Sequence, residues 1–158
     1  MTSAGIQPYI CISSEAGGAM TAVTWYKDVL GATVRTAMAW GEDSTKLGHA
    51  ELAFGSSVIM LSDEFPGMSG KTPKELGGCP VTFTLMVPGT SKDVYDKALE
   101  KGAKVLPGRE YKSQPWGWNA GSIEDPFGYQ WTIGEEAEKI TIDEIAERLK
   151  MKNVASQF

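Results

Sequence analysis

A histidine and a glutamate stand two residues apart in the first half of the chain. His49 is the only histidine among the 158 residues, and it begins the run His49-Ala50-Glu51-Leu52. In a β-strand both side chains would point to the same face, because successive residues alternate sides. A neutral imidazole near a carboxylate can act as a general base or as a hydrogen-bond partner, because histidine titrates near neutral pH. The alternative is a polar histidine that packs on a sheet or at a subunit contact.

A pair of tryptophans is the second candidate for chemistry, in the short run Trp116-Gly117-Trp118. Aromatic rings in a loop can form the lid or wall of a pocket and can stack on a planar ligand. The same rings can equally pack over the open end of a sheet, and the sequence leaves both alternatives open. Trp116 and Trp118 are therefore candidate ligand-binding residues.

An internal repeat indicates which elements position these residues. Residues 23–34 are echoed by residues 94–105, and both segments are typical of a helix that ends at a glycine and leads into a strand. Gly31 corresponds to Gly102 at an offset of about seventy residues, as expected for two copies of one unit. The chain is therefore predicted to contain two modules of the same architecture.

Each copy has the hydrophobic pattern of a strand, a helix and three more strands. In the first module, residues 6–62, the pattern predicts strands near 8–13, 32–40, 46–54 and 57–62 and a helix over 19–30. In the second module, residues 80–134, it predicts strands near 81–87, 103–110, 119–125 and 129–134 and a helix that ends near Lys101. Residues 62–80 are predicted as a loop, and an amphipathic helix is predicted over 141–152.

The order βαβββ, found twice, predicts an α+β fold in a single domain that spans residues 1–158. The modules would form a curved mixed sheet, with helices on one face and a central trough, the candidate site, on the other. Strand alternation places these further side chains in the trough: Tyr9, Cys11, Thr84, Met86 and Gln130. Trp131 has the opposite parity and is predicted to lie in the core.

The composition limits the partners that we expect for the protein. Its net charge is −5, its pI is near 4.9 and it shows no basic run, which disfavours nucleic acid and anionic membranes. No stretch has the length and apolar character of a membrane span, and the first residues lack a signal-peptide pattern. Cys11 and Cys79 do not form a Cys-x-x-Cys pair, so we expect reduced thiols and a cytoplasmic protein.

Five motifs follow one another along the repeated frame. They are Trp25-Tyr26-Lys27-Asp28-Val29-Leu30-Gly31, His49-Ala50-Glu51-Leu52, Leu61-Ser62-Asp63-Glu64-Phe65-Pro66, Trp116-Gly117 and Asp125-Pro126-Phe127-Gly128-Tyr129-Gln130-Trp131. Together they resemble the vicinal oxygen chelate superfamily, which contains glyoxalases, bleomycin resistance proteins and extradiol dioxygenases. The resemblance extends from about Gln7 to Ile133. It is strongest to the branch related to 3-demethylubiquinone methyltransferase-like proteins.

The resemblance implies one divalent metal held by four inward-pointing side chains, at positions that correspond here to Gln7, Glu51, Thr82 and Thr132. A substrate would chelate this metal through adjacent oxygens, and the metal would stabilise an enolate or activate dioxygen. A glutamine carbonyl is a weak ligand, and neutral threonine hydroxyls bind divalent metals poorly. With one histidine in the chain, no multi-histidine site can form elsewhere. We therefore expect no metal and no other cofactor, with a divalent metal as the alternative.

Three kinds of function agree with these patterns. The first is a glyoxalase-like or bleomycin-resistance-like protein that binds a small organic ligand in the trough without the usual metal, with Gln7, Thr82 and Thr132 among the ligand-binding residues. The second is an enzyme, either a divalent-metal-dependent lyase, isomerase or dioxygenase or a metal-free acid–base catalyst that uses His49 and Glu51. The third is a protein that uses the fold for assembly alone. The resemblance further implies a homodimer.

Overall fold

The structure is a computed structural model that describes residues 5–157, except for the side chains of Asp43 and Ser44. The described residues contain one βαβββ module and a second module of the same plan with one additional two-residue strand, and each module forms its own mixed sheet. This observation confirms the predicted α+β fold class and the predicted duplication.

The described residues group into two compact units. The first unit contains the chain up to Val81 together with the turn Asp125–Tyr129. The second unit contains Thr82–Glu124 and the chain from Gln130 onward. Whether the whole chain behaves as one domain stays a prediction.

The first unit is a four-stranded sheet covered by one long helix. Its elements are β1 Tyr9–Ile12, α1 Gly18–Leu30, β2 Thr33–Trp40, β3 Asp43–Phe54 and β4 Ser57–Asp63. The strands lie in the order β1-β4-β3-β2, with β1 parallel to β4 and the other neighbours antiparallel. These elements match the predicted strands and helix to within a few residues, and the link Gly55-Ser56 joins β3 and β4 as the predicted hairpin.

Helix α1 is fixed at its end by a local glycine cap and at its start by a carboxylate from a distant part of the chain. It ends at Gly31, whose left-handed conformation (φ 75°) provides the predicted C-cap. At its start, the carboxylate of Asp63, 2% exposed, accepts hydrogen bonds from the backbone N–H groups of Ala19 and Leu47. Between the two ends, Tyr26 is 1% exposed and anchors the helix in the core. The helix is therefore a rigid support for the sheet beneath it.

The second unit repeats this plan with shorter outer strands. Its elements are β5 Thr82–Met86, α3 Ser91–Glu100, β6 Lys104–Val105, β7 Lys112–Ser113, β8 Trp118–Glu124 and β9 Gln130–Glu136. The main strands lie in the order β5-β9-β8-β6, and β7 pairs with β8. Trp131 is 2% exposed and contacts the ring of Phe83, so it lies in the core as its parity predicts.

The prediction of a plain loop over 62–80 is wrong. Strand β4 continues to Asp63, and the segment contains a short helix between the modules, α2 Pro73–Leu76. A capping box stabilises the N-terminus of this helix. In it, the side chains of Thr72 and Glu75 each accept a hydrogen bond from the other's backbone N–H. Four residues are too few to produce a periodic apolar pattern, so hydrophobic spacing alone does not reveal the helix.

The predicted strand over 103–110 is also wrong beyond its first residues. Only Lys104–Val105 pair with β8 as β6, and the chain then turns. In the turn, the N–H of Arg109 donates to the carbonyl of Leu106 across Pro107-Gly108. Proline and glycine favour such a turn and interrupt a ladder of hydrogen bonds, which explains the short strand.

The predicted C-terminal helix is present but shorter than 141–152. Helix α4, Ile142–Leu149, begins after a Thr141–Glu144 capping box and ends at Lys150 in a left-handed conformation (φ 53°). Among the helices in the described part of the chain, none is long and apolar enough to cross a membrane.

The turn Asp125–Tyr129 is held in the first unit by a buried network of polar contacts. The hydroxyl of Tyr26 donates to one carboxylate oxygen of Asp125 at 2.6 Å. The other oxygen accepts the backbone N–H groups of Phe127 and Tyr129, each at 2.9 Å. The hydroxyl of Tyr129 donates to the carbonyl of Cys11 at 2.8 Å and accepts its N–H at 3.0 Å. The predicted turn is therefore also a buried anchor.

Candidate functional site

The first sheet has one face against α1 and one open face that carries mostly polar and long side chains. Cross-strand pairing aligns Tyr9 with Met60, Met60 with Glu51, and Glu51 with Thr36. In the central strands β3 and β4, the neighbouring residues Leu52 and Leu61 are fully buried and point to the α1 side. We call the side opposite α1 the open face of the first sheet; its members are Tyr9, Thr36, Met38, His49, Glu51 and Met60.

His49 and Glu51 lie together on this face, as strand alternation predicts. Nε2 of His49 is 3.6 Å from Oε1 of Glu51, which is too long for a hydrogen bond. About a quarter of each side chain is exposed, at 24% for His49 and 21% for Glu51. The pair is therefore reachable from solvent and partly shielded by its neighbours.

Tyr9 lies on the other side of the His49 ring. Its hydroxyl oxygen is 3.2 Å from Nδ1 of His49, and it can also donate to the carbonyl of Gly48 at 3.3 Å. The two rings have a centroid distance of 5.7 Å and an interplanar angle of 36°. Since Tyr9 is 53% exposed, its hydroxyl connects the imidazole to the surface.

Arg35 completes the cluster from β2. Its Nε is 4.0 Å from Oε2 of Glu51. The register of β2 against β3 shifts between Val34 and Thr36, so Arg35 is the extra residue of a β-bulge. A bulge bends the strand and changes the direction of a side chain. It therefore allows Arg35 to approach Glu51 on the same face as its neighbour Thr36. Sequence reasoning missed Arg35 because no local pattern indicates this bulge.

The open face of the second sheet carries hydroxyl and amide groups in two cross-strand rows. Thr82 aligns with Gln130, and its hydroxyl is 3.3 Å from the side-chain amide oxygen (Oε1) of Gln130. Thr84 aligns with Thr132, whose hydroxyl is 2.9 Å from that of Ser122. Met86 continues the same face of β5 and is 39% exposed. Sequence reasoning placed all of these residues on one face except Ser122, which it did not single out.

The tryptophan pair lies at the start of β8. The rings of Trp116 and Trp118 meet edge to face, with centroids 6.5 Å apart, and both are half-buried. Gly117 between them adopts φ 87°, and a Cβ there would come within 2.6 Å of the carbonyl oxygen of Glu138. The loop therefore packs closely on the chain that leads to α4, and both predicted roles for the rings stay open.

One residue predicted to lie in the trough is buried. Cys11 is 4% exposed, with its Sγ 3.6 Å from the carbonyl oxygen of Asp63, so it is a packed residue rather than part of the surface. Gln7 precedes β1 and is half-buried.

A family model matches residues 17–133, most of the chain. Its description is the Glyoxalase/Bleomycin resistance protein/Dioxygenase superfamily. The chain belongs to this superfamily.

Relatives of this glyoxalase superfamily protein occur in mycobacteria. An uncharacterised protein of Mycobacterium bovis is 40% identical over 104 residues, which cover 63% of this chain and 66% of the relative. Uncharacterised proteins of Mycobacterium tuberculosis are equally similar over 59% of their length. The chain thus spans less than two thirds of the length of these relatives.

Solved structures share the fold at low sequence identity. Protein PA1353 from Pseudomonas aeruginosa has a TM-score of 0.66 at 23% identity, with 86% of this chain and all of that chain covered. A putative 3-demethylubiquinone-9 3-methyltransferase, PhnB protein, from Bacillus cereus has a TM-score of 0.59 at 15% identity and coverages of 82% and 98%. The fosfomycin resistance protein FosX from Listeria monocytogenes, complexed with Mn(II) and sulfate, has a TM-score of 0.58 at 9% identity and coverages of 91% and 98%. These likenesses show the fold alone.

The residues at the superfamily's metal positions do not fit a divalent cation. Glu51 is the one carboxylate among them, and Gln7 offers a neutral amide. The hydroxyls of Thr82 and Thr132 are neutral and are already hydrogen-bonded to side chains of their own sheet. Within the described part of the chain, no group of three or more histidine, cysteine, aspartate or glutamate residues could hold a metal ion. The donor set is thus too weak for the metal chemistry that the superfamily implies.

Proposed function

We propose that this glyoxalase superfamily protein binds a small organic ligand on the open face of its first sheet, without a metal ion. The supporting observation is the combination of side chains on that face. Tyr9 and Met38, each 53% exposed, offer an aromatic and an aliphatic surface beside His49 and Glu51. Ligand sites of proteins combine apolar walls with a few polar groups that fix orientation, and this face has both.

The charges of the cluster favour a ligand with polar groups on an apolar frame. Arg35 and Tyr9 can donate hydrogen bonds, Glu51 can accept them, and His49 can do either. Because the contacts of Glu51 with His49 and Arg35 are 3.6 and 4.0 Å long, a ligand can replace them with shorter contacts at little cost.

A thermal-shift screen of small organic molecules tests the proposal, run with and without nickel, zinc, manganese and iron. We expect at least one compound to raise the melting temperature without added metal, because a ligand that binds only the folded state stabilises it. Calorimetric titration then gives the affinity of each hit. Hits that all require a metal would overturn the metal-free part of the proposal.

Two methionine variants locate the binding face. Met38→Ala removes an exposed side chain beside His49, and Met20→Ala removes one with similar exposure, 50%, from the outer side of α1. We expect Met38→Ala to weaken the binding of a hit about tenfold and Met20→Ala to leave it unchanged. Equal effects of the two variants would contradict binding on the open face.

Metal content provides a second, independent check. The protein, purified without a polyhistidine tag, is analysed by elemental mass spectrometry together with Glu51→Ala. We expect no stoichiometric divalent ion in either sample, since the donor set is weak. A stoichiometric ion that Glu51→Ala loses would instead support the metal-dependent lyase, isomerase or dioxygenase.

A second candidate function is metal-free acid–base catalysis by His49 and Glu51. The observation that favours it is that His49 and Glu51 lie side by side at a partly exposed position, with Nε2 of His49 3.6 Å from Oε1 of Glu51. An imidazole beside a carboxylate is a common arrangement in general acid–base catalysis. Conversion of a bound hit that stops in His49→Gln, with affinity retained, would favour catalysis over binding alone.

The expected homodimer is a separate proposal. It comes from the superfamily, and light scattering during size-exclusion chromatography tests it. A monomer at the concentrations of the binding assays would contradict it.

A further inference from the structure

The two edge strands of the first sheet differ in how their outer sides are closed. At one edge, β1 has four residues, and the hydroxyl of Tyr129 bonds both the N–H and the carbonyl of Cys11. At the other edge, β2 has eight residues, and its outer side faces no strand of the described chain. Natural sheets protect such an edge with proline, lysine, bulges or a covering segment. The edge at β1 is therefore closed from within the chain, and the edge at β2 is open.

Strand β2 is exposed on both faces and is almost uncharged. Its sequence is Thr-Val-Arg-Thr-Ala-Met-Ala-Trp, and all of its residues are exposed except Thr36, which is half-buried. Among its large apolar side chains, Val34 is 37% exposed, Met38 53% and Trp40 48%. The register shifts occur toward the two ends of the strand and leave Thr36–Met38 in regular register with β3. An exposed, regular edge without proline or lysine is a template for another strand.

We infer that two copies of this chain pair through β2 in antiparallel orientation, about a twofold axis that passes beside Ala37. A twofold contact is self-complementary, so one pairing closes the open edge of both copies. In this register Ala37 faces the partner's Ala37, and Thr36 faces the partner's Met38. Arg35, the only charged residue of the strand, faces the partner's Ala39 rather than a like charge.

The composition of β2 favours a second copy over a strand of a different protein. Selective binding of a different strand depends on charge pairs or on pockets for particular side chains. Strand β2 offers one charge, and Arg35 already lies 4.0 Å from Glu51 of its own sheet. At the centre of the strand, the methyl group of Ala37 is small enough for two copies to face each other directly. The strand thus complements itself better than it complements a charged partner.

The pairing continues the open face of the first sheet from one copy into the next. A twofold axis perpendicular to the sheet keeps both open faces on the same side. The partner's Met38 then lies beside Thr36, which aligns with Glu51. The second copy thus adds an apolar side chain to the ligand site. This consequence rests on the proposed function, whereas the pairing itself does not.

A cysteine beside the twofold axis tests the pairing. Opposite residues of an antiparallel pair have Cα atoms about 4.5–5.5 Å apart, which a disulfide can span. Ala37→Cys, combined with Cys79→Ser to remove a half-buried native thiol, should form a disulfide-linked dimer on mild oxidation. Met20→Cys in the same background places an exposed thiol on the outer side of α1 and should run as a monomer on a non-reducing gel. Equal or absent cross-linking in the two variants would overturn the pairing.

A lysine at the same position tests the contact without oxidation. Like charges directly opposite each other destabilise a strand pair, so Ala37→Lys should convert the dimer to a monomer in light scattering. Met20→Lys adds the same charge on α1 and should stay dimeric. Because both positions are exposed, we expect circular dichroism to show the wild-type fold in both variants. A monomeric wild-type protein, or a dimer that Ala37→Lys leaves intact, would contradict the inference.

The lysine variants also separate the pairing from the proposed function. Ala37 aligns with the buried Ala50 and points to the α1 side, away from the proposed ligand. We expect monomeric Ala37→Lys to bind a screening hit about tenfold more weakly than the wild-type protein, and Met20→Lys to bind it equally well. Unchanged affinity in the monomer would remove the partner's Met38 from the site and leave ligand binding on the open face intact. A screen without hits would count against the proposed function, and the cross-linking result would still decide the pairing.

Discussion

The first unit contains two clusters of tyrosine and carboxylate that differ in burial and in geometry. In the buried cluster, Tyr26 and Tyr129 surround Asp125, and all three are at most 7% exposed. In the open cluster, Tyr9 and His49 lie beside Glu51, with the Tyr9 residue 53% exposed and the Glu51 side chain 21% exposed. The same types of side chain thus occur in two very different environments.

The carboxylate contacts are also shorter in the buried cluster than in the open one. The contacts of Asp125 are 2.6 to 2.9 Å long, whereas those of Glu51 are 3.6 and 4.0 Å long. Short, buried and fully satisfied hydrogen bonds stabilise a fold, because breaking them leaves polar atoms without water. Longer contacts near solvent stabilise little and leave capacity for a ligand. The comparison therefore indicates that the buried cluster stabilises the fold and that the open cluster is available to the proposed ligand.

The largest expected effect is the loss of the buried carboxylate. Asp125→Ala removes the acceptor of the Tyr26 hydroxyl and of the N–H groups of Phe127 and Tyr129. We expect the free energy of unfolding to fall by ~3–5 kcal/mol, since three buried donors lose their partner. Urea denaturation followed by circular dichroism measures the change. A loss below ~1 kcal/mol would show that the cluster does not anchor the turn.

The next largest effect is expected from a tyrosine-to-phenylalanine substitution, compared between the buried and the open cluster. Tyr129→Phe removes a hydroxyl that bonds both the N–H and the carbonyl of Cys11, so we expect a loss of ~2 kcal/mol of unfolding free energy. Tyr9→Phe removes a half-exposed hydroxyl whose partners can turn to water, so we expect a change within ~0.5 kcal/mol. The same denaturation measurement applies to both variants. Equal losses would remove the distinction between the clusters.

The buried tyrosines also predict how stability depends on alkaline pH. Burial raises the pKa of Tyr26 and Tyr129 above that of a tyrosine in an unfolded chain, and the charge of Asp125 raises the pKa of both further. Their contribution to stability is therefore fully present below about pH 10. Above that pH the unfolded state loses the protons first, and the unfolding free energy falls by up to ~1.4 kcal/mol per pH unit for each tyrosine.

Urea denaturation between about pH 9 and 11.5 checks this dependence. The wild-type protein should lose stability across that range, and Tyr26→Phe should lose less per pH unit, because one tyrosine no longer contributes. Met20→Ala, which removes no titratable group, serves as the control and should follow the wild-type slope. A slope that Tyr26→Phe leaves unchanged would contradict the assignment.

The elements were predictable where the pattern is local. Alternation located β3 and its hairpin with β4, and Gly31 located the end of α1. Each of these signals is contained in a short run of neighbouring residues. The same reasoning overextended the strand at 103–110, where a proline–glycine turn outweighs the apolar residues. Contacts between distant segments have no such signal, and Tyr26 bonds a carboxylate 99 residues away.

The candidate site was predictable in part for the same reason. Strand alternation placed His49 with Glu51 and placed Tyr9 on an open face, since these statements need only the period of a strand. The contact of Tyr9 with His49 depends on how β1, β4 and β3 align. The approach of Arg35 depends on a bulge in β2. Neither the alignment nor the bulge is encoded in a short run of residues.

The smallest expected effect on stability is at the open carboxylate. Glu51→Ala removes an ion pair with Arg35 at 4.0 Å and a contact with His49 at 3.6 Å, and solvent weakens both. We expect the free energy of unfolding to change by less than ~0.5 kcal/mol, measured as for Asp125→Ala. The same variant should weaken the binding of a screening hit about tenfold, whereas Glu100→Gln, at the exposed end of α3, should not. A large loss of stability with unchanged affinity would reverse the comparison, because Glu51 would then support the fold as Asp125 does.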